Sequence, residues 1–309
     1  MFFPHSGGAV SRWSNGAAIV MSLPTMVNHV MDNALHMNVG MIGKGHYANV
    51  YEIISKHTQE RAALKVVSKR ISNQDGVSPS LLLAKEYELL QRLSHPYIVN
   101  VMNLFMDNTS IAMEMPLLSS GNLMEYLIAS GKCEFVDTAI IGLQLAKALV
   151  YLHAQNIAHR DVKPENILSQ TGWQPLHQIY LSDFGCHKTD TRVSEGCRTS
   201  VGTPVYWSPE QYMVHKKLRA EYGFNVDCWA LGVVFFSCCY GRFPFELDDD
   251  GDRYRVNNFD LDRQDPDWCS STSEVQSLLE GMLDIDTERR ASAVASVRTI
   301  EFALFIVLF

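Results

Sequence analysis

The chain has 309 residues, 47% hydrophobic and 19% charged, a balance that excludes an intrinsically disordered chain and leaves core enough for one large domain or two lobes. Its formal net charge of −8 argues against a general nucleic-acid binder, which would be basic. The 7 cysteines are odd in number and carry no metal-site spacing, so a reduced protein of the cytoplasm or nucleus, with small apolar core thiols, is expected.

Residues 1–36 carry no periodic pattern and are rich in Ser, Gly, Asn and Met. They read as a poorly ordered lead-in, without the basic start and continuous apolar run of a secretory signal. From Met37 to Val67 the pattern suits strands. NVGMIGKG and NVYEIISK flank a glycine loop, and RAALKVVSK follows a polar turn, which predicts three antiparallel strands joined by hairpins. In LLLAKEYELLQRL the residues Leu82, Leu83, Glu86, Leu89, Leu90 and Leu93 fall at helical spacing. IVNVMNLFMD and TSIAMEMPL read as two further strands. Past Gly121, LMEYLIAS predicts a short helix and DTAIIGLQLAKALVYLHAQ a long one with Asp137 as N-cap. NVDCWALGVVFFSCCYG is apolar nearly all round and predicts a buried helix. The acidic run Asp248–Asp252 lacks the alternating ligand spacing of a calcium loop and reads as a solvated loop.

The fold class this outline predicts is α+β. A small antiparallel β lobe with one helix spans 37–116, a larger, mainly helical lobe spans 117–298, and an apolar tail follows at 299–309. The tail, EFALFIVLF after Ile300, is shorter than the ~20 residues a membrane-spanning helix needs, and no membrane span is expected. A buried strand or helix end and a stretch of sequence that is not truly coding both remain open for it.

The glycine loop, GKGHYANV from Gly43 to Val50, has the pattern G-x-G-x-x-G-x-V with Ala48 in the third glycine's place. Alone it is more often a turn than a nucleotide site. Behind it come Lys65 at the end of AALK, then HRDVKPENIL (His159–Leu168), LSDFG with Asp183, and GTPVYWSPE (Gly202–Glu210). In this order, over about residues 38–292, the chain resembles the eukaryotic protein kinases, whose fold is bilobal. DVKPEN and Thr203 are similar to the Ser/Thr type. The stretches IYLSDFGCHK, CRTSVGTPVYWSPE and NVDCWALGVVFFSCCYGRFPF look most like the calmodulin-dependent-kinase group, checkpoint kinase 2 type.

The resemblance implies an enzyme that uses ATP and Mg2+ to phosphorylate Ser/Thr hydroxyls of protein substrates, in signalling. Such phosphoryl transfer asks for positioning and charge neutralisation rather than covalent help. By resemblance Asp161 accepts or orients the substrate hydroxyl proton, and Lys163 reaches the γ-phosphate. Asn166 and Asp183 are the oxygen ligands of the metal ions, and Thr203 touches both Asp161 and Lys163. Lys65 holds the α- and β-phosphates and is fixed by Glu86. Ile42, Gly43, Lys44, Gly45, Val50, Ala63, Met113, Glu114 and Met115 complete the implied nucleotide site. His159, Asp227, Glu210 and Arg290 are implied as architectural. Arg160 is implied to receive a phosphate from the activation segment, with Thr199 as leading phosphosite and Ser200 next, placed there by an upstream kinase or by the chain itself. Glu165 matches one of two carboxylates that receive a basic substrate residue, whereas the second place, after Gly121, holds Asn122. The alternative is a pseudokinase-like scaffold, and the presence of Lys65, Asp161, Asn166 and Asp183 weighs against it.

Overall fold

The computed structural model describes residues 18–19, 36–45, 48–69, 78–106, 110–173, 178–189, 202–219, 221–245, 259 and 261–308. Thr199, Ser200 and the acidic run 248–252 lie outside them. The chain forms two compact units, one within residues 1–94 and 98–118, the other within 95–97 and 119–309.

The first unit is a six-stranded sheet in the order β1-β5-β6-β4-β3-β2. Its strands are β1 (Ala18–Ile19), β2 (His36–Lys44), β3 (Ala48–Ser55), β4 (Arg61–Ser68), β5 (Asn103–Met106) and β6 (Ser110–Pro116). Helix α1 (Pro79–Leu90) packs on β4 and β6. Side chains alternate across a strand, so the register sorts them by face. Tyr51, Ile53, Ala62, Leu64, Val66, Phe105 and Ala112 form an apolar cluster on one face. The register Val50–Lys65–Met113 and the pair Ala63–Met115 stand on the other. Three predictions are refined. Ala18–Ile19 pairs in parallel with Leu104–Phe105, although the lead-in showed no pattern, because two residues cannot display a period. The first strand of the predicted meander, read from Met37, takes in His36 as well. The candidate strand from Ile98 shortens to Asn103–Met106.

The second unit is built on buried helices. Its helices are α2 (Leu123–Ser130), α3 (Phe135–Ala154), α4 (Pro209–His215), α5 (Asn225–Tyr240), α6 (Pro266–Ser270), α7 (Ser273–Met282) and α8 (Ala293–Leu308). The short strands β7 (Ile157–Ala158), β8 (Ile167–Ser169), β9 (Ile179–Leu181) and β10 (Lys188–Thr189) pair as β7–β10 and β8–β9. Helix α3 is long and apolar enough to cross a membrane, but it packs against α5, α8 and β9 as a core helix. It starts at Phe135 with Glu134 as N-cap, so Asp137 lies inside the first turn rather than capping it; there its charge still favours the positive helix end. Helix α5 is buried along most of its length, as its uniform apolarity predicts. Arg290 binds Glu210 through two hydrogen bonds of 2.5 and 3.0 Å, both groups buried, with the guanidinium over the Trp229 ring. The predicted domain boundary at 298 falls inside α8. That helix continues to Leu308 because Ile300 and Ala303 are core residues.

Candidate active site

In the first unit, Lys65 donates to both carboxylate oxygens of Glu86, at 3.0 and 2.9 Å. Glu86 sits on the buried face of α1, whereas Glu88 is exposed on another face, which explains why only one of the two carboxylates reaches the sheet. Both charges are largely withdrawn from water, so each depends on the other. The pair holds the Lys65 ammonium in the same cross-strand row as Gly43, Val50 and Met113. Ala63 and Met115 occupy the next row on that face. At the loop, the Gly45 N–H donates to the Ala48 carbonyl at 2.7 Å, a tight turn between β2 and β3 that an alanine at 48 accommodates. Lys44 and Gly45 are exposed there, and Ile42 is half exposed at an irregularity in the β2–β3 register. Glu114 lies between Met113 and Met115 on β6. Strand alternation puts its side chain with Leu64 on the opposite face, where Asn103 Nδ2 donates to it at 2.7 Å, and its carbonyl accepts from the Met102 N–H.

In the second unit, the catalytic-loop residues converge on Asp161, which is buried. Its Oδ1 accepts from the Thr203 N–H at 3.0 Å and from the Thr203 hydroxyl at 3.2 Å. Its Oδ2 lies 2.9 Å from Lys163 Nζ and accepts from Asn166 Nδ2 at 3.1 Å. Lys163 in turn donates to Thr203 Oγ1 at 2.6 Å, so ammonium, hydroxyl and carboxylate form one closed chain of hydrogen bonds. Asn166 Nδ2 also donates to the Asp161 carbonyl, which commits its amide hydrogens to Asp161 and turns Oδ1 the other way as a hard oxygen donor. Asp183 is exposed and sits in the left-handed region at φ 59°, its carboxylate accepting from the Gly185 N–H. Among the described residues no cluster of three or more His, Cys, Asp or Glu forms a closed metal cage. The side-chain oxygens of Asn166 and Asp183 are hard donors of the kind magnesium takes while it keeps most of its shell for water and phosphate.

Behind the cluster stands a buried scaffold. Asp227 Oδ2 accepts from the His159 N–H at 2.9 Å and Oδ1 from the Arg160 N–H at 2.8 Å. His153 Nε2 meets Oδ2 at 2.9 Å. Burial by itself pushes the Asp227 carboxyl up; the bond of His153 and the Arg160 amide are among the contacts that outweigh it and hold the group below the ordinary carboxylate range. His159 Nδ1 accepts from the Asp161 N–H, so Nε2 carries the proton and donates to the Ser182 carbonyl at 3.1 Å. Burial holds this imidazole below its ordinary pKa, in keeping with a neutral ring used as a spacer between the Asp161 and Asp183 segments. The buried Phe184 ring meets it edge-on at 4.6 Å.

Arg160 Nε donates to the Cys186 carbonyl at 2.7 Å, which ties the residue before Asp161 to the start of the activation segment. The Cys186 thiol is pushed up to about 11, by burial first and then by the charges of Asp161 and Asp183, so it is a protonated, unreactive group at neutral pH. Two positions escaped the sequence reading. His153 gave no signal, because its partner Asp227 is far along the chain. Gly202 had one, a glycine before Thr203: its φ of +91° and the Arg160 carbonyl, 2.4 Å from where a Cβ would stand, require the absence of a side chain.

Comparison with known proteins agrees with this geometry. The protein kinase domain family matches residues 37–300. The chain is 31% identical over 260 residues to the serine/threonine-protein kinase DCLK3 of Mus musculus, covering 82% of this chain and 31% of that protein. It is 31% identical over 253 residues to the meiosis-specific serine/threonine-protein kinase mek1 of Schizosaccharomyces pombe, covering 79% and 54%. It is 30% identical over 271 residues to the serine/threonine-protein kinase RAD53 of Saccharomyces cerevisiae, covering 83% and 32%. The chain thus spans from about a third to about half the length of these curated relatives. A match over residues 37–300, laid on a Lys65–Glu86 pair and an Asp161–Lys163–Thr203 cluster, makes this chain a member of the protein kinase domain family.

Proposed function

We propose that the chain transfers the γ-phosphoryl group of ATP to Ser/Thr hydroxyls of protein substrates. The observation that carries the proposal is the closed Asp161–Thr203–Lys163 chain of hydrogen bonds, with Asn166 fixed to the same carboxylate. Thr203, through its hydroxyl and its N–H, orients Oδ1 of Asp161, which receives the proton of the attacking hydroxyl as the oxygen–phosphorus bond forms and the bond to the β-phosphate oxygen breaks. Lys163 lies close enough to balance negative charge as it is redistributed. Lys65, held straight by Glu86, supplies a second fixed cation for phosphate. Asn166 and Asp183 would hold Mg2+, which when bound neutralises phosphate charge.

The scaffold alternative requires a cluster too damaged to work, and every member stands in bonding distance of a partner. The deciding experiment measures phosphate transfer from ATP to a generic protein substrate by the wild type, Asp161→Asn and Asp183→Ala. Transfer lost in both variants supports the enzyme. Equal background transfer in all three would make the chain a scaffold.

Activation by phosphorylation of Thr199 is part of the proposal. Its support is Arg160, whose guanidinium already holds the Cys186 carbonyl at the start of the segment. Thr199→Ala with unchanged turnover would remove it. A substrate preference for basic residues rests on Glu165, which is exposed within reach of the Tyr206 hydroxyl at 3.5 Å. The cysteines among the described residues are free thiols, which supports a location in the reducing cytoplasm or nucleus.

A further inference from the structure

The larger unit holds a pair of thiols that phosphoryl transfer does not use. Cys133 lies in the turn between α2 and α3, and Cys238 in the last turn of α5; they are 5% and 1% exposed. The turn is seated directly on the helix end. The Cys133 N–H donates to the Cys238 carbonyl at 2.8 Å. Gly241, at φ +69° just past the helix, leaves room for the Gly131 carbonyl where a Cβ would otherwise come within 2.3 Å. A direct backbone bond makes the two residues close neighbours, as a disulfide, whose Cα atoms stand about 4.4–6.8 Å apart, requires. Each thiol also shifts the other's titration as its side-chain partner, which agrees with the backbone contact that sets the two residues side by side.

We propose that Cys133 and Cys238 are a dithiol that hydrogen peroxide closes to a disulfide, joining the α2–α3 turn to the end of α5. The site is independent of the kinase activity and stands whether or not that reading holds. The two sulfurs have unequal roles. The hydrogen bond from Cys238 lowers the pKa of the Cys133 thiol despite its burial, whereas the same bond and burial raise that of Cys238. Cys133 is therefore the attacking thiolate and Cys238 the resolving thiol. The Cys133 sulfur displaces hydroxide from peroxide, breaking the O–O bond and giving a sulfenic acid. Cys238 then attacks that sulfur, the S–O bond breaks, and its thiol proton leaves with the departing hydroxide as water. In sum two thiols and one peroxide give one disulfide and two waters, the sulfurs losing two electrons and the peroxide gaining them. Burial pushes the thiol of Cys239, the next residue, up to about 12, so it stays out of the reaction.

The test treats the reduced full chain with graded hydrogen peroxide, blocks remaining thiols with N-ethylmaleimide, and maps the peptides without reduction. The expected result is a cross-linked peptide pair containing Cys133 and Cys238, reversed by dithiothreitol. It should form equally in Cys239→Ser and be lost in Cys133→Ser and in Cys238→Ser. The disulfide closes a long loop, so the thermal midpoint of the oxidised chain should rise by several degrees. Both cysteines blocked after peroxide, Cys133 carried to sulfinic or sulfonic acid without a cross-link, or a cross-link to Cys239 instead would each overturn the proposal. These readouts use the wild-type chain, so a variant that fails to fold does not shield the idea.

Discussion

At Thr203 one hydroxyl accepts from Lys163 and donates to Asp161, while the backbone N–H of the same residue holds the same carboxylate oxygen. The side chain and the main chain can therefore be separated by mutation. Thr203→Val keeps the volume and the N–H but removes the hydroxyl bridge between two charged groups. Hydrogen bonds to charged groups contribute about 1.5–3 kcal/mol, so kcat should fall about 10- to 100-fold. KM for ATP should stay within about twofold, because Thr203 touches Asp161 and Lys163 rather than the Lys65–Glu86 pair. Thr203→Ser should recover most of the loss in steady-state assays. His159 makes a different statement, about pH. Its folded pKa is depressed by burial, so between that value and the ordinary imidazole value of about 6.5 the unfolded chain binds a proton that the folded chain does not. Stability is full above about pH 6.5 and declines as pH falls below it. The depressed Asp227 carboxyl acts in the same sense at lower pH, below the ordinary carboxylate value, where the unfolded chain protonates first. Chemical denaturation at pH 7.5 and pH 5.5 should show the loss, and His159→Asn should flatten the slope whatever its absolute stability. An unchanged slope in that variant would exclude His159 as the source.

Among the elements, the short helix α2 shows how one residue's sequence reading changes once its contacts are known. Asn122 stands where the resemblance implied a substrate-binding carboxylate, and its side chain is spent on the helix instead. Its Oδ1 accepts from the Glu125 N–H at 2.9 Å, and Glu125 Oε2 accepts from the Asn122 N–H at 3.2 Å, a reciprocal capping box. Asn122→Ala should cost about 1 kcal/mol of stability, and Asn122→Asp, which still caps, close to none. Thermal melts of the two variants distinguish a capping residue from an idle one. The longer elements were legible in advance for the same kind of reason: α1 and α3 repeat their buried residues every three or four positions, and α5 announces its burial by near-continuous apolarity. The terminal and non-local features were not. Glu134 rather than Asp137 begins α3, because the cap is set by backbone geometry rather than by the best capping side chain. The β1 pairing joins residues far apart in sequence and leaves no period to read. Within the site, residues fixed by motif spacing, such as Asp161 and Asn166, could be named from sequence. The face of the Glu114 side chain, by contrast, is set by the β4–β6 register, which motif spacing does not contain.

For the whole molecule, the question the sequence posed at its apolar end resolves into a helix with two unlike faces. Ile300 and Ala303 are buried, α8 packs along α3, and the Lys147–Glu301 ion pair at 3.0 Å crosses between the two helices near the surface. Phe302 and Ile306 are exposed on the other side. The exposed ion pair contributes little, about 0–1 kcal/mol, so the buried residues decide what the segment is worth. Ending the chain after residue 298 removes an isoleucine and an alanine from the core and uncovers the side of α3 they protect. With full burial of a large aliphatic side chain contributing about 1.5–3 kcal/mol, the loss should be roughly 3 kcal/mol. A unit of this size then melts about 6–12 °C lower. Ile300→Ala in the full chain should reproduce about 2–4 kcal/mol of destabilisation by opening a cavity in the same place. Phe302→Ser should leave the midpoint within about 1–2 °C, because a surface substitution away from buried contacts changes stability by about 0.5 kcal/mol or less. Calorimetry of the three variants separates the alternatives. A truncated chain that melts with the wild type would mean that the apolar end lies on the fold without contributing to it. A drop shared by the truncation and Ile300→Ala, and spared in Phe302→Ser, would make α8 through Ala303 part of the core that supports α3 and, through His153 at its end, the Asp227 scaffold behind the catalytic loop.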